Sequence, residues 1–119
     1  MKVTRTYFML MVSDMARSVA FYRDVIGLSE RFSSPGWSEL AFGDAVLALH
    51  GGRSNDDPVE TGLGLYVEDA DAACNEIEAA GGTIVQPPEA RAGESIKLAI
   101  AADPDGNCFS LAEPVSHQD

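Results

Sequence analysis

A chain of 119 residues, 45% hydrophobic and 23% charged, has the size and composition of one compact domain with a buried core. Its formal charge of −11 repels phosphate-rich partners and so argues against nucleic acid. The same field favours a cationic ligand, although carboxylates that merely keep a surface soluble account for it more readily. No apolar run reaches the roughly eighteen residues of a membrane span. Met1-Lys2-Val3-Thr4-Arg5 leads into a short apolar stretch without a small-residue cleavage site, so the expectation is a cytoplasmic protein with neither signal peptide nor membrane partner. Cys74 and Cys108 lie far apart and outside any Cys-x-x-Cys spacing, which suits buried thiols better than a disulfide framework or a cysteine zinc site.

In chain order, the first strand is read from Phe8, Leu10 and Val12 alternating with Tyr7, Met9 and Met11. Asp14 follows as an N-cap, its carboxylate available to the unpaired amides of a first helical turn. The helix runs to about Ile26, with Val19, Tyr22 and Ile26 on one face, and Gly27 stops it. Three strands come next, at about Ser29 to Phe32, Trp37 to Phe42 and Ala45 to His50, the last two joined by a Gly43-Asp44 turn. After the polar stretch Gly51 to Pro58 the pattern begins again. At a constant offset, Leu10, Val12 and Asp14 find Leu65, Val67 and Asp69, and Gly27 finds Gly82. The second strand–helix unit has Gly62, Gly64 and Tyr66 alternating with Leu63, Leu65 and Val67, then a helix to about Ala80 with Ala73, Ile77 and Ala80 aligned. Strands at about Thr83 to Gln86, Ser95 to Ala101 and Cys108 to Ala112 complete it, with Asp103-Pro104-Asp105-Gly106 as the closing turn. The order βαβββ therefore occurs twice: module one at about 5–50, a linker at about 51–60, module two at about 61–113, and a polar tail at 114–119 expected to fray.

These residues carry a resemblance. Val12-Ser13-Asp14-Met15-Ala16-Arg17-Ser18-Val19-Ala20-Phe21-Tyr22-Arg23-Asp24-Val25-Ile26-Gly27-Leu28 resembles the first strand-to-helix signature of the vicinal oxygen chelate superfamily, and Asp103-Pro104-Asp105-Gly106-Asn107 resembles its closing turn. That superfamily includes glyoxalase I, bleomycin-resistance proteins and extradiol dioxygenases. The resemblance spans nearly the whole chain and implies an α+β fold: two βαβββ modules form curved mixed sheets around a cleft, with helices on the outer face. It implies much less about chemistry, because fold does not fix function. Alternation then sends Phe8, Leu10, Val12, Leu47, Leu49, Leu63, Leu65, Phe109 and Leu111 toward the helices. Tyr7, Met9, Met11, Val46, Ala48, His50, Gly62, Gly64, Tyr66, Cys108, Ser110 and Ala112 go toward the cleft.

Metal-dependent members of the superfamily place His, Glu or Gln ligands on the first and last strands of each module. Carried over position by position, those places hold Tyr7, Ala48, Gly62 and Ser110. Ala and Gly offer no side-chain donor, and Tyr and Ser are poor ligands at neutral pH. His50 lies two residues beyond Ala48, His117 is in the tail, and Glu39, Glu60, Glu94 and Glu113 are scattered. The expectation is a site without metal or cofactor, which sets aside glyoxalase, dioxygenase and fosfomycin-transferase chemistry.

What remains is a pocket. Small residues at Ala48, Gly62, Gly64 and Ser110, with Ala99 and Ala101 on the adjoining strand, leave room beside Tyr7, Met9, Met11, Tyr66 and Trp37. Aromatic walls with adaptable methionines suit planar or irregular organic ligands. The expected ligand-binding set is Tyr7, Met9, Trp37, Ala48, His50, Gly62, Gly64, Tyr66 and Ser110, with no catalytic residue assigned. By resemblance to the bleomycin-resistance branch, the protein sequesters a small organic molecule, an aromatic antibiotic or natural product, and forms a homodimer with the cleft between chains. Two other readings stand beside it. Met9 and Met11 can simply fill a core, giving a structural module without a ligand. Alternatively, a metal-free isomerase or lyase can use His50 or Glu39 as base and Tyr7 as acid, which requires those groups within hydrogen-bond reach of one substrate atom.

Overall fold

Asp14 and Asp69 start the two helices by the same means. Each has extended backbone, and its carboxylate accepts from the amide three residues on, Arg17 N at 3.1 Å and Ala72 N at 3.0 Å. In this computed structural model, which describes residues 1–55 and 57–115, the chain divides into two compact units, Met1–Asp56 and Asp57–Asp119. Each unit contains one four-stranded mixed sheet and one helical segment, so the fold is α+β with βαβββ twice. Among the described residues no helix is long and apolar enough to cross a membrane.

Unit 1 comprises β1 (Phe8–Val12), α1 (Met15–Ala20), β2 (Ser29–Ser33), β3 (Trp37–Phe42) and β4 (Ala45–Gly51), in the sheet order β1-β4-β3-β2. α1 continues as a π-helical turn over Phe21–Val25 and ends at Gly27, whose φ of 93° a side-chain-bearing residue rarely adopts. β1 runs parallel to β4, with Phe8 opposite Leu47 and Leu10 opposite Leu49. Residues directly opposite share a face, so these leucines, with Val12 and Leu40, form the buried side over which Val19, Phe21 and Tyr22 pack. Phe8 lies at the margin of this core and stays partly exposed.

Unit 2 comprises β5 (Val59–Tyr66), α2 (Ala70–Ala79), β6 (Thr83–Ala90), β7 (Ile96–Ala102) and β8 (Asn107–Pro114), in the order β5-β8-β7-β6. Its core is Phe109 and Leu111 on the sheet against Ala70, Cys74 and Ile77 of α2. The buried stripe of α2 thus runs through Ala70, Cys74 and Ile77; Ala80 is exposed beyond the helix end. The buried turn after β7 is tied by Asp103, whose carboxylate accepts from the amides of Asp105 and Asn107 and from the Asn107 side chain.

Two alanines face the opposite way from the sequence expectation. Ala99 lies opposite Leu111 and Ala101 opposite Phe109, which places both on the helix side, fully buried. Their smallness lets α2 approach the sheet; it does not open space on the other face. β6 also extends past Gln86 to Ala90, because an edge strand with register shifts accommodates Pro87 and Pro88 without losing ladder donors. β5 begins at Val59, inside the stretch read as linker, and β8 ends at Pro114, the first residue of the stretch read as tail. The rest of that tail, 116–119 with His117, lies outside the described residues.

Candidate ligand site

The face of the unit 1 sheet away from α1 is set by register. Met9 and Glu39 flank Ala48, and Met11 and Trp37 flank His50, so these side chains stand on one face in two adjoining rows. Tyr7, just before β1, brings its ring edge-on to Trp37 with centroids 5.5 Å apart and an interplanar angle of 76°. His50 also meets the indole edge-on, at 6.1 Å and 87°. The indole therefore contacts both a phenol and an imidazole in the edge-to-face geometry that aromatic quadrupoles favour.

Trp37 is held by more than these contacts. Its indole N–H donates to Glu39 Oε2 at 2.9 Å, and the Arg5 guanidinium donates to Glu39 Oε1 at 3.1 Å. Both oxygens of a side chain that is only 18% exposed are thus engaged. The Ser34 hydroxyl accepts from the Trp37 amide and donates to the Trp37 carbonyl at 2.7 Å, fixing the loop that delivers the residue. His50 Nδ1 lies 2.6 Å from the Gly51 carbonyl. A carbonyl only accepts, so in the neutral ring the proton sits on Nδ1 and Nε2 presents a lone pair.

The expected residues are not equally available. Tyr7 and Met9 are well exposed and Trp37 is half-buried, whereas Ala48 is wholly covered and forms the floor rather than a contact. In unit 2, Gly64 is opposite Ser110 and Tyr66 opposite Ala112, so these four share a face with Ile100 and Leu98 of β7. Gly62 departs from the strand pattern. Glu60 pairs with Cys108 and Gly64 with Ser110, leaving three residues of β5 against Phe109 alone. The Thr61 hydroxyl closes this bulge by donating to the Cys108 carbonyl at 2.7 Å and accepting from the Leu63 amide at 3.1 Å. Gly62 consequently has φ of 77°, a conformation that favours glycine.

The donors at the four positions where the superfamily places metal ligands do not fit a divalent ion. Tyr7 and Ala48 in unit 1, and Gly62 and Ser110 in unit 2, supply no carboxylate, imidazole or thiolate. The backbone at Gly62 adds that even a new side chain there would start from a strained conformation. Among the described residues no three of His, Cys, Asp and Glu converge into a metal-holding group. Arg5 sits in an irregular segment and acquires meaning only through its bond to Glu39. Glu39, expected among scattered acids and as the alternative base, has both oxygens engaged as the support of Trp37.

With that geometry established, comparisons place the chain. Residues 5–111 match the model of the Glyoxalase/Bleomycin resistance protein/Dioxygenase superfamily, and the chain belongs to that superfamily. It is 33% identical over 119 residues to a lactoylglutathione lyase of Salmonella typhimurium, covering 88% of each chain. It is 30% identical over 120 residues to the Haemophilus influenzae lactoylglutathione lyase, again covering 88% of each. A Listeria monocytogenes fosfomycin resistance protein, FosX, whose structure contains Mn(II) and sulfate, superposes with a TM-score of 0.79 at 19% identity, covering 97% of this chain and 93% of that one. That last likeness concerns the fold.

Proposed function

We propose that this protein binds a small organic molecule on the aromatic face of unit 1 and holds it without a metal ion, as a resistance-type sequestering protein for an aromatic antibiotic or natural product. The observation that carries this reading is the pairing of two features at homologous places. The superfamily ligand positions hold Tyr7 and Ala48 in unit 1 and Gly62 and Ser110 in unit 2, and in unit 1 the face of Ala48 also carries a tryptophan anchored through Glu39 and in edge contact with Tyr7 and His50. Anchoring an indole in this way suits a stacking surface that must keep its shape before the ligand arrives. Cytoplasmic location and a homodimer with the cleft between chains belong to the same reading.

The test is native mass spectrometry with elemental analysis, followed by titration of aromatic compounds against the fluorescence of Trp37, the single tryptophan. A metal-free dimer that captures an intact compound and quenches Trp37 supports the proposal. One tightly held divalent ion per chain overturns its metal-free part and returns lyase chemistry, the activity named for the relatives, to the front.

One observation favours a second reading, a metal-free isomerase or lyase. In the neutral ring of the exposed His50 the proton sits on Nδ1 toward the Gly51 carbonyl, which leaves Nε2 as the lone-pair nitrogen a general base needs, beside the Trp37 indole that the Tyr7 ring also meets. Conversion of the captured compound on incubation, abolished by His50→Gln, selects this reading over sequestration.

A further inference from the structure

Beside the aromatic row, and wholly within unit 1, lies a groove of about 830 Å³ whose lining includes Arg5 and Thr6 of the N-terminal segment, Arg31 of β2, Glu39 of β3 and Asp44 of the β3–β4 turn. Its volume falls in the range of about 300–1,000 Å³ that organic ligands occupy. Glu39 is common to both features: it lines the groove and holds the Trp37 indole. A molecule with its ring on Trp37 therefore has this groove as the neighbouring space for its other end.

The charges in the groove are not equivalent. Arg5 and Glu39 neutralise each other at 3.1 Å. Arg31 has no hydrogen-bond or ion-pair partner among the described residues. Its place is not that of an ordinary edge-strand arginine. Glu30 pairs with Leu40 and Phe32 with Glu39, so Arg31 is the extra residue of a bulge, the device by which strands re-aim a side chain. The bulge leaves it as a lining residue of the groove, a planar fork of donors without an acceptor. With Arg5 and Glu39 paired, the groove keeps one unpaired cation, Arg31, and the Asp44 carboxylate, so a carboxylate matches the one fork bidentately while a second ligand charge finds no second spare cation and faces Asp44.

We infer that the groove takes the carboxylate of an aromatic monocarboxylate whose ring lies on Trp37, with Arg31 as the residue that reads the charge; this rests on the aromatic face being the ligand site. The net charge of −11 opposes any anion at long range. That opposition is screened over about 8 Å at physiological salt, so the contact with Arg31 decides the preference.

The experiment follows the single Trp37 indole N–H resonance of isotope-labelled full-length protein during titration with naphthoate, naphthamide and naphthyl phosphate. Naphthoate is expected to bind about tenfold or more tightly than either of the others. Arg31→Met is expected to lower naphthoate affinity about tenfold, to the level of the amide, and to lower amide affinity less than about threefold. Arg31 is exposed on an edge strand, and an unchanged amide spectrum verifies that the variant folds. Equal affinity for acid and amide, tighter binding of the phosphate, or an unaffected Arg31→Met variant overturns the carboxylate assignment while leaving the aromatic site standing. An indole resonance that none of the three compounds moves overturns the aromatic site as well.

Discussion

The two units share one plan and differ in what they place on the face away from the helix. Both orders read first strand, fourth, third, second, both helices begin at an aspartate cap, and both cores sit between a central pair of strands and the helix. On the other face, unit 1 carries Tyr7, Trp37, His50 and a bonded Glu39, whereas unit 2 carries one exposed aromatic, Tyr66, among Gly64, Ser110 and Ala112 with Leu98 and Ile100. The helix side of a repeat is constrained by packing at crystal-like density, so it keeps its character in both copies. The opposite side is free to diverge, and in unit 1 that divergence brings a tryptophan, an imidazole and a bonded carboxylate onto one face.

The largest expected effect concerns what the units share. Leu49→Ala in unit 1 and Leu111→Ala in unit 2 each empty a fully buried site on a central strand. Each should cost about 2–5 kcal/mol in urea denaturation. Similar losses in one cooperative transition would mark the cores as equivalent, while a transition splitting in two would show the units unfolding separately.

Next comes the difference between the faces. Trp37→Ala should weaken binding of an aromatic ligand by about tenfold, corresponding to roughly 1.4 kcal/mol. Tyr66→Ala, on the face of unit 2, should change it less than about threefold. Calorimetric titration of both variants checks this, and the reverse ranking would move the recognition surface to unit 2.

Close approach gives a smaller contrast. A Cβ on Gly82 would lie 2.8 Å from the Ala102 carbonyl and 2.5 Å from the Ile77 side chain, so Gly82→Ala should destabilise by about 1–3 kcal/mol. Gly64→Ala meets only the Ser110 hydroxyl at 3.1 Å and should stay within about 0.5 kcal/mol of neutral when both variants are unfolded in urea. The N-caps should prove interchangeable, with Asp14→Ala and Asp69→Ala each losing about 1 kcal/mol.

The smallest effect is at Cys74. Burial, and then the nearby Asp71 and Glu78 charges, raise its thiol above the ordinary 9.0. The unfolded thiol therefore ionises first, and this contribution to stability is present below pH 9.0 and is lost as pH rises through the folded value. Iodoacetamide at pH 8 should modify Cys74 more slowly in the native protein than in urea; equal rates would contradict its burial.

Much of this was legible without coordinates because it depends on short-range periodicity. The alternation in Phe8–Val12, the caps at Asp14 and Asp69 and the glycines at 27 and 81 act within one or two turns of chain. The duplicated motif added the topology. The face of Ala99 and Ala101 was not legible in the same way. Small residues suit both an open pocket and a closely packed helix, and only their register with Leu111 and Phe109 distinguishes the two. The bulges at Arg31 and around Gly62 were hidden for a related reason. An extra residue in a strand leaves no mark on composition, and it shows only when two strands are counted against each other.

The sequence by itself determined the twofold βαβββ plan, the helix caps and the alternation of the strands, since these follow from residue type, spacing and repetition, while the residues at the four superfamily ligand positions were read from the resemblance. Tertiary structure alone decided that Glu39 holds Trp37 and Arg5 together, that His50 Nδ1 meets the Gly51 carbonyl, and that Arg31 lines a groove without a partner among the described residues. Those properties depend on which strands become neighbours and in what register, and no stretch of chain a few residues long contains that information.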